Sequence, residues 1–422
     1  MPTVRVFILV AIHHSWPIAQ LDISNAFLHG QLTERVYMQQ PPGFVDSAHP
    51  DYICSLKKAI YDLKQSPRQW YATLSTHLQQ FGFKFSAADP SLMVYHSSSS
   101  SLYILIYVDD ILLTGNDKVI MDKLLTSLKA TFSMRYLGNL SQFLGIHVTA
   151  LPSGIHLNQA LYARSIVQKA GMENSKTVST PSSLKSVISS DRLQQFSNPV
   201  LYRQLAGSLQ YLTLTRPDIA FAVQQVCQHM HNPHQVHFEQ LKRLLRYVNG
   251  TISYGLSLSR GSMELHCYAD SDWAGDSTDR KSVSGYCNFI GNSLISWQVK
   301  KQSTVARSST EAEYRSLAIA ASEVIWLRRL LSDFNLPPQA PMPLYCDNTS
   351  AIALANNPVF HARTKHIEVD CHFIRDCIQT KQIIVHHLAT QDQIADLFTK
   401  SLPIKRFKFL SSKLIAASAS SV

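Results

Sequence analysis

Apolar residues recur along this chain with two periods, and the change from one to the other marks its elements. Residues 103–107 and 111–115 are apolar, β-prone runs on either side of Val108-Asp109-Asp110, which predicts a hairpin with acids at its tip. Ile18 to Ile23 predicts another short strand, and Ser97 to Ser101 a hairpin loop. Trp70, Leu74, Leu78 and Phe81 fall at helical spacing behind Ser66-Pro67, read as N-cap and first helical residue. Ile120, Leu124, Leu128 and Phe132 repeat that spacing after the hairpin. The order β, α, ββ, α suits helices packed on an antiparallel sheet. Residues 202–248 read as helices, after a polar run at 176–199 that suits a linker. Beyond a boundary near 258 the period becomes that of strands: 263–269, 284–290 and 293–298 form an expected meander. A long helix at 310–331, a strand at 343–346, helices at 348–355 and 366–380, a strand at 382–387 and a helix at 391–399 complete a mixed-sheet domain. The Ala- and Ser-rich tail is expected to fray.

Composition narrows the class without naming a function. With 422 residues, 45% hydrophobic and 16% charged, the chain is too apolar to be disordered and long enough for several cores. A net charge of +10 fits a polyanionic partner and equally a mildly basic enzyme. The seven cysteines are odd in number and lack a CxxC pair, which speaks for a reducing compartment and against a disulfide framework. His361, His366, Cys371, His372 and Cys377 cluster late in the chain at spacings that fit no tetrahedral zinc motif. Val4–Ile12 and Leu102–Leu113 are too short or interrupted to span a bilayer, so no membrane partner is expected, and the opening run reads as structure and not as a leader.

The sharpest chemistry is Tyr107-Val108-Asp109-Asp110. Adjacent carboxylates among apolar residues raise each other's pKa unless a cation neutralises them. Mg²⁺ prefers oxygen donors and keeps waters and phosphates in its shell, so two or three carboxylates suffice. Asp22, at the end of the 18–23 strand, is the third candidate; an acidic turn plus an unrelated strand-end Asp is the plain alternative.

The segments Leu21-Asp22-Ile23-Ser24-Asn25-Ala26-Phe27-Leu28-His29-Gly30, Val36 to Phe44, Leu63 to Trp70 and Tyr107 to Asp110 resemble, in this order, the reverse transcriptase of copia-type LTR retrotransposons. The likeness continues through Phe143 to Ile146, Gly207 to Leu212, Thr215 to Asp218, Trp273 to Asp276, Ser308 to Tyr314 and Ala395 to Lys400. It implies a polymerase palm in which Asp22, Asp109 and Asp110 hold two Mg²⁺ ions, with Mn²⁺ as a substitute. It also implies that Phe27 blocks a nucleotide 2′-hydroxyl, that Gln65 contacts the incoming deoxynucleoside triphosphate, and that Leu144 and Gly145 position the primer end. The implied partners are an RNA template, a DNA primer and RNA/DNA hybrid.

The last block resembles a ribonuclease H domain, implying a second two-metal set from Asp270, Asp347, Asp396 and a helical Glu. Glu311 and Glu313 lie about 200° apart on a helix, with the apolar face between them, so geometry does not choose. The family pattern, a Glu followed three residues later by a small side chain, here Ser316, favours Glu313, with Glu311 as the alternative. Arg280, Lys281, Lys300, Lys301 and Lys365 are the candidates for facing phosphates, and His386 or His387 for assisting product release.

The expected architecture is therefore an α+β and α/β multidomain chain, a reverse-transcriptase palm with thumb or connection followed by a ribonuclease H-like mixed-sheet domain. The boundaries are 1–175 for palm and partial fingers, 176–257 for linker and helical thumb or connection, 258–402 for the nuclease-like domain and 403–422 for a frayed tail. Two departures from the family stand out. The chain begins twenty-one residues before Asp22, so a fingers segment is expected to be missing and the polymerase truncated, and Asp62 stands where relatives have Gly. Protease and integrase, the remainder of a polyprotein, are expected partners without sequence here. A nuclease-only fragment and a noncatalytic nucleic-acid-binding remnant are the alternatives, and a cytoplasmic virus-like particle or the nucleus, without secretion, is the expected location.

Overall fold

The computed structural model describes residues 1–184, 194–357 and 367–417. Part of the expected linker, residues 185–193, lies outside them, as do Lys365, His361 and His366. The fold is mixed α/β, in two compact units, one of residues 13–140 and one of residues 1–12 with 141–422. The apolar opening run forms α1 (Pro2–His14), with Val6 through Ala11 buried. No helix among the described residues is long and apolar enough to cross a membrane.

In the 13–140 unit the chain runs through β1 (Ile18–Ile23), a ribbon of β2 (Gln31–Gln39) and β3 (Ile53–Lys58), α2 (Ser66–Phe81), β4 (Lys84–Phe85), β5 (Leu92–His96), β6 (Ser101–Tyr107), β7 (Asp110–Gly115), α3 (Lys118–Thr131) and β8 (Met134–Asn139). Six strands form one antiparallel sheet in the order β4-β5-β6-β7-β1-β8. Trp70, Leu74 and Leu78 of α2 and Met121, Leu124 and Leu128 of α3 pack with Leu21, Ile104 and Leu113 of the sheet in one core. The helical spacing read from the sequence is this buried face. Ser66 is not the cap of α2: that position is Gln65, and the Ser66 hydroxyl donates instead to the Ile60 carbonyl at 2.5 Å. At the other end Gly82 takes φ of 111°, a left-handed stop that a β-carbon would disfavour.

The second unit carries two sheets. Short strands β9 (Gln142–Phe143), β10 (Ile146–Leu151) and β11 (Gly154–Asn158) lead into α4 (Ala160–Lys169), α5 (Pro199–Leu212), α6 (Ala220–Cys227) and α7 (Gln235–Asn249), and β12 (Tyr254–Ser259) returns to pair with β11. The following block comprises β13 (Leu265–Asp272), β14 (Val283–Ile290), β15 (Ser293–Lys301), α8 (Ser309–Asp333), β16 (Met342–Cys346), α9 (Thr349–Asn356), α10 (Glu368–Gln379) and β17 (Ile383–His387). Its sheet has the order β15-β14-β13-β16-β17, antiparallel across the meander and parallel from β13 to β17. α8 lies on β13 and β14 and buries Ala312, Leu317, Ala321 and Val324. Two expectations are corrected. Residues 391–399 form two short 3₁₀ turns, Thr390–Asp392 and Ile394–Phe398, in place of a helix. The tail does not fray at 403: α11 (Ile404–Ser411) buries Phe407 and Leu410, and β18 (Ala416–Ala417) adds to the edge of β12. Its apolar positions three apart were outweighed, in the sequence, by the Ala and Ser that follow.

A buried charge network ties the helices of this unit. The Arg216 guanidinium donates to both Asp218 oxygens at 2.9 and 2.7 Å, to Thr251 Oγ1 at 2.7 Å and to the Thr251 carbonyl at 2.8 Å. The Tyr247 hydroxyl donates to Asp218 at 2.7 Å, and Arg216 and Asp218 are each 1% exposed. Removing one partner of such a pair strands the other charge in the interior. Asp218→Ala should therefore cost about 3–5 kcal/mol, read as a lowered urea midpoint at unchanged slope. A loss under about 1 kcal/mol would mean that water reaches Arg216.

Candidate functional site

The 13–140 unit gathers three of the expected carboxylates at one end of its sheet. Register pairs Asp22 of β1 with Asp110 of β7, and the Ile23 N–H donates to the Asp109 carbonyl at 3.0 Å across the same junction. Tyr107 pairs with Asp110, so the turn between β6 and β7 holds only Val108 and Asp109. Val108 takes φ of 58°, an outlier for a β-branched residue, and its carbonyl accepts from the Trp70 indole at 2.7 Å. The strained tip is thus tied to the core helix α2. The Asp110 carboxyl is pushed up by burial, then by the charges of Asp109 and Asp22. Arg135 on β8, opposite Asp22 in register, donates to its Oδ2 at 3.1 Å and to Ser24 Oγ at 3.1 Å. No sequence signal marked Arg135; only sheet register brings it there.

Phe27 follows Asp22 in a short 3₁₀ turn, and its ring meets Tyr61 at 4.7 Å between centroids. Tyr61 leads into Asp62, whose φ is 71°. The position does require the left-handed conformation, which Asp tolerates less well than Gly. Gln65, half-buried, closes this segment as the cap of α2. Leu144 and Gly145 form a separate turn with φ of 48° and 67°, where the Tyr211 hydroxyl donates to the Leu144 carbonyl at 2.5 Å.

The mixed sheet assembles the other expected carboxylates. Asp270 lies within β13, paired with Gly285 of β14, and Asp347 follows the last residue of β16. Gly285 is required: a β-carbon there would stand 2.6 Å from the Phe398 β-carbon, and its absence lets the turn that carries Asp396 close on the sheet. The buried Gln393 side chain fixes that turn, donating to the Ala269 carbonyl at 2.9 Å and accepting from the Ala395 N–H at 3.2 Å. On α8, Ser316 donates to the Asp270 carbonyl at 2.7 Å, which is where its small side chain matters. Glu313, Asp347 and the Cys346 sulfur present ligand atoms all within 4.8 Å of one another. Glu311 points elsewhere: it accepts from the Arg307 N–H at 2.8 Å and pairs with Arg315 at 2.6 Å.

This centre is deeply buried, with Asp270 and Asp396 2% and Glu313 6% exposed. Burial, reinforced by Asp396 and Asp347, outweighs the Lys400 charge and pushes Asp270 up to about 6. Burial, with Asp270 and Asp347 adding repulsion, pushes Glu313 up to about 10. Three contacts that the sequence reading missed surround them. Thr399 donates to Asp270 Oδ2, the Lys400 ammonium lies 2.7 Å from Asp396 and 3.4 Å from Asp270, and Arg406 of α11 lies 2.5 Å from Asp396. Thr399 and Lys400 sit in the motif that carried Asp396, whereas Arg406 fell in the segment expected to fray. Both carboxylate sets are hard oxygen donors and fit Mg²⁺; among the described residues the Cys346 sulfur is a soft donor beside the second set.

The expected phosphate-facing cations divide. Arg280 and Lys300 are exposed. Lys301 is held 2.5 Å from Asp276 and 3.0 Å from Asp279, and Lys281 lies 3.8 Å from Asp279. Cys371 and Cys377 are buried on α10, and His386 and His387 are exposed on β17.

A family model described as "Reverse transcriptase (RNA-dependent DNA polymerase)" matches residues 1–184. The chain is 46% identical over 413 residues to the retrovirus-related Pol polyprotein from transposon RE2 of Arabidopsis thaliana, covering 98% of this chain and 28% of that protein. It thus spans a little over a quarter of the length of such relatives. A putative transposon Ty5-1 protein of Saccharomyces cerevisiae is 30% identical over 314 residues, 72% of this chain and 99% of the yeast protein. A solved foamy viral protease-reverse transcriptase in complex with RNA/DNA hybrid covers 92% of this chain, and 45% of that chain, at 13% identity and a TM-score of 0.49.

The raised carboxyls carry a stability consequence whose sign is fixed. A folded pKa above the unfolded one means that the native state binds more protons, so stability falls as pH rises from the unfolded value toward the folded one. For the metal-free protein the penalty grows from about pH 4 through about 6 for Asp270 and onward toward about 10 for Glu313. Mg²⁺ should accordingly raise the melting temperature by several degrees near pH 8 and far less near pH 5, about 1–2 kcal/mol in linkage. Equal Mg²⁺ shifts at both pH values, measured by thermal unfolding, would contradict this.

Proposed function

The chain belongs to the copia-type retrotransposon Pol family, as its reverse transcriptase region, and on that premise we propose that it works through two nucleic-acid-processing centres. The first is an RNA-directed DNA polymerase centre at Asp22, Asp109 and Asp110. The second is a ribonuclease H-type centre at Asp270, Glu313, Asp347 and Asp396. The observation that carries the reading is the register match of Asp22 with Asp110 beside a strained turn, a construction that costs energy and has no evident structural benefit. Two divalent ions of the Mg²⁺ type at each centre would supply charge neutralisation for phosphoryl transfer, at the first to a primer 3′-hydroxyl and at the second to water.

The chain's own residues define the rest of the chemistry. Asp22 and Asp110 present oxygen donors from neighbouring strands, and the Trp70 bond to Val108 holds the turn in place during turnover. Phe27, braced by Tyr61, is assigned to excluding a 2′-hydroxyl, and Gln65 to the incoming nucleotide. At the second centre Glu313 is preferred over Glu311 because Glu311 is committed to Arg315 and the α8 N-terminus. The partners under this reading are RNA template, DNA primer, their hybrid and deoxynucleoside triphosphates, with protease and integrase from the rest of a polyprotein. Its place of action is a cytoplasmic particle or the nucleus.

The two centres separate by mutation. Primer extension on an RNA template should vanish with Asp109→Asn while cleavage of the RNA strand of a hybrid persists, and Asp347→Asn should reverse the pattern, each loss at least about a hundredfold. Full activity in either variant, with contaminating nuclease excluded, would refute the corresponding assignment. Phe27→Val should reduce discrimination against ribonucleotides by about ten- to two-hundredfold with deoxynucleotide incorporation little changed. Unaltered discrimination would return Phe27 to a packing role.

A further inference from the structure

The cations around the buried carboxylates are unevenly placed. Both oxygens of Asp396 face a cation: Oδ1, without a hydrogen-bond partner among the described residues, lies 2.7 Å from the Lys400 ammonium as an ion pair, and Oδ2 accepts from Arg406 Nη2 at 2.5 Å and Nε at 3.2 Å. Lys400 also reaches Asp270 Oδ2 at 3.4 Å, so its ammonium bridges the two acids as a cation with oxygen donors would. Among the described residues no Lys or Arg forms an ion pair with Glu313 or Asp347.

The two cations also differ in freedom. Arg406 is anchored by bonds to the Thr390 and Gln391 carbonyls at 2.5 and 3.1 Å, so it cannot leave Asp396 without releasing the whole turn. Among the described residues the Lys400 ammonium pairs with these two carboxylates alone, sits on a flexible four-carbon stem and is 32% exposed on its side chain, so it can swing to water. With all four carboxylates ionised, as metal ligands must be, these two cations leave a formal charge of minus two, which a single divalent ion neutralises. A second ion meets a neutral site already holding an ammonium.

We propose that the Lys400 ammonium is an internal occupant of the seat between Asp270 and Asp396, so that a divalent ion enters first at Glu313 and Asp347 and a second enters at Asp396 only as Lys400 withdraws. This rests on the reading of the buried cluster as a two-metal centre. Lys400 is a positioning residue in this account: it keeps the empty Asp396 seat neutral and folded, and it sets the order in which the ions are taken up.

The test is Mn²⁺ binding to the full chain, followed by the electron paramagnetic resonance of free ion, with Asp109→Asn and Asp110→Asn present to silence the other centre. The parent should show one tighter and one weaker step. Lys400→Met should strengthen the weaker step by about tenfold or more, and Lys400→Arg should not. Lys400→Gln repeats the measurement if the Met variant fails to fold. Weaker-step affinity that is unchanged or reduced in the neutral variants would overturn the proposal while leaving the two-metal reading intact. Binding no stronger in the parent than in its Asp347→Asn derivative would remove the two-metal reading, and the proposal with it.

Discussion

Carboxylates that must meet at one point repel each other and lose water as they do so, and both centres of this protein are shaped by that cost. At the end of the antiparallel sheet the cost is lower because the three acids are only half-buried. Asp109 stands on a two-residue turn, and the cation that approaches Asp22, Arg135, is itself 69% exposed, so the pair is worth about 0–1 kcal/mol. In the mixed sheet Asp270, Glu313 and Asp396 are buried, and there the protein supplies internal cations. Lys400 and Arg406 neutralise one side of the cluster, while the Glu313 carboxyl on the other side is pushed up by burial and by the charges of Asp270 and Asp347.

Holding such groups in place demands backbone that would be unfavourable elsewhere. Val108 in the left-handed region is the price of turning the chain so that Asp109 and Asp110 follow each other at the tip, and the Trp70 bond to the Val108 carbonyl over-determines it. Gly285 solves the opposite problem, since it makes room where any side chain would push the Asp396 turn off the sheet. Asp62 belongs with Val108: its φ of 71° bends the segment between Tyr61 and Gln65, the two residues nearest the work assigned to Phe27 and the incoming nucleotide.

What the sequence disclosed and what it concealed follow from the range of the forces involved. The β6–β7 hairpin was legible because its apolar runs and its acids are contiguous, and α2, α3 and α8 because a buried face repeats every turn. The helical cap was misread at Ser66 because the hydroxyl finds a carbonyl six residues back, a contact that propensity cannot foresee. Strands β2 to β5 and β8 to β12 went unread. The exposed ribbon of β2 and β3 has no apolar face, and β4 has two residues. Glu313 and Glu311 could not be separated by angle, because the helix offers both a route away from its apolar face. The distinction lies in Arg315 and Arg307, which take up Glu311.

Several of the residues that escaped the sequence reading act through a partner distant along the chain. Arg135 reaches Asp22 across 113 positions, Thr399 reaches Asp270 across 129, and Gln393 reaches Ala269 across 124. A motif shows a side chain's chemistry, but its electrostatic environment is set by sheet register and by close approach. The two carboxylate sets therefore look alike as motifs and differ as sites. One is open, with a single exposed cation that solvent screens. The other is dry, so each charge placed beside it acts at lower effective dielectric and a single lysine can decide where a divalent ion enters.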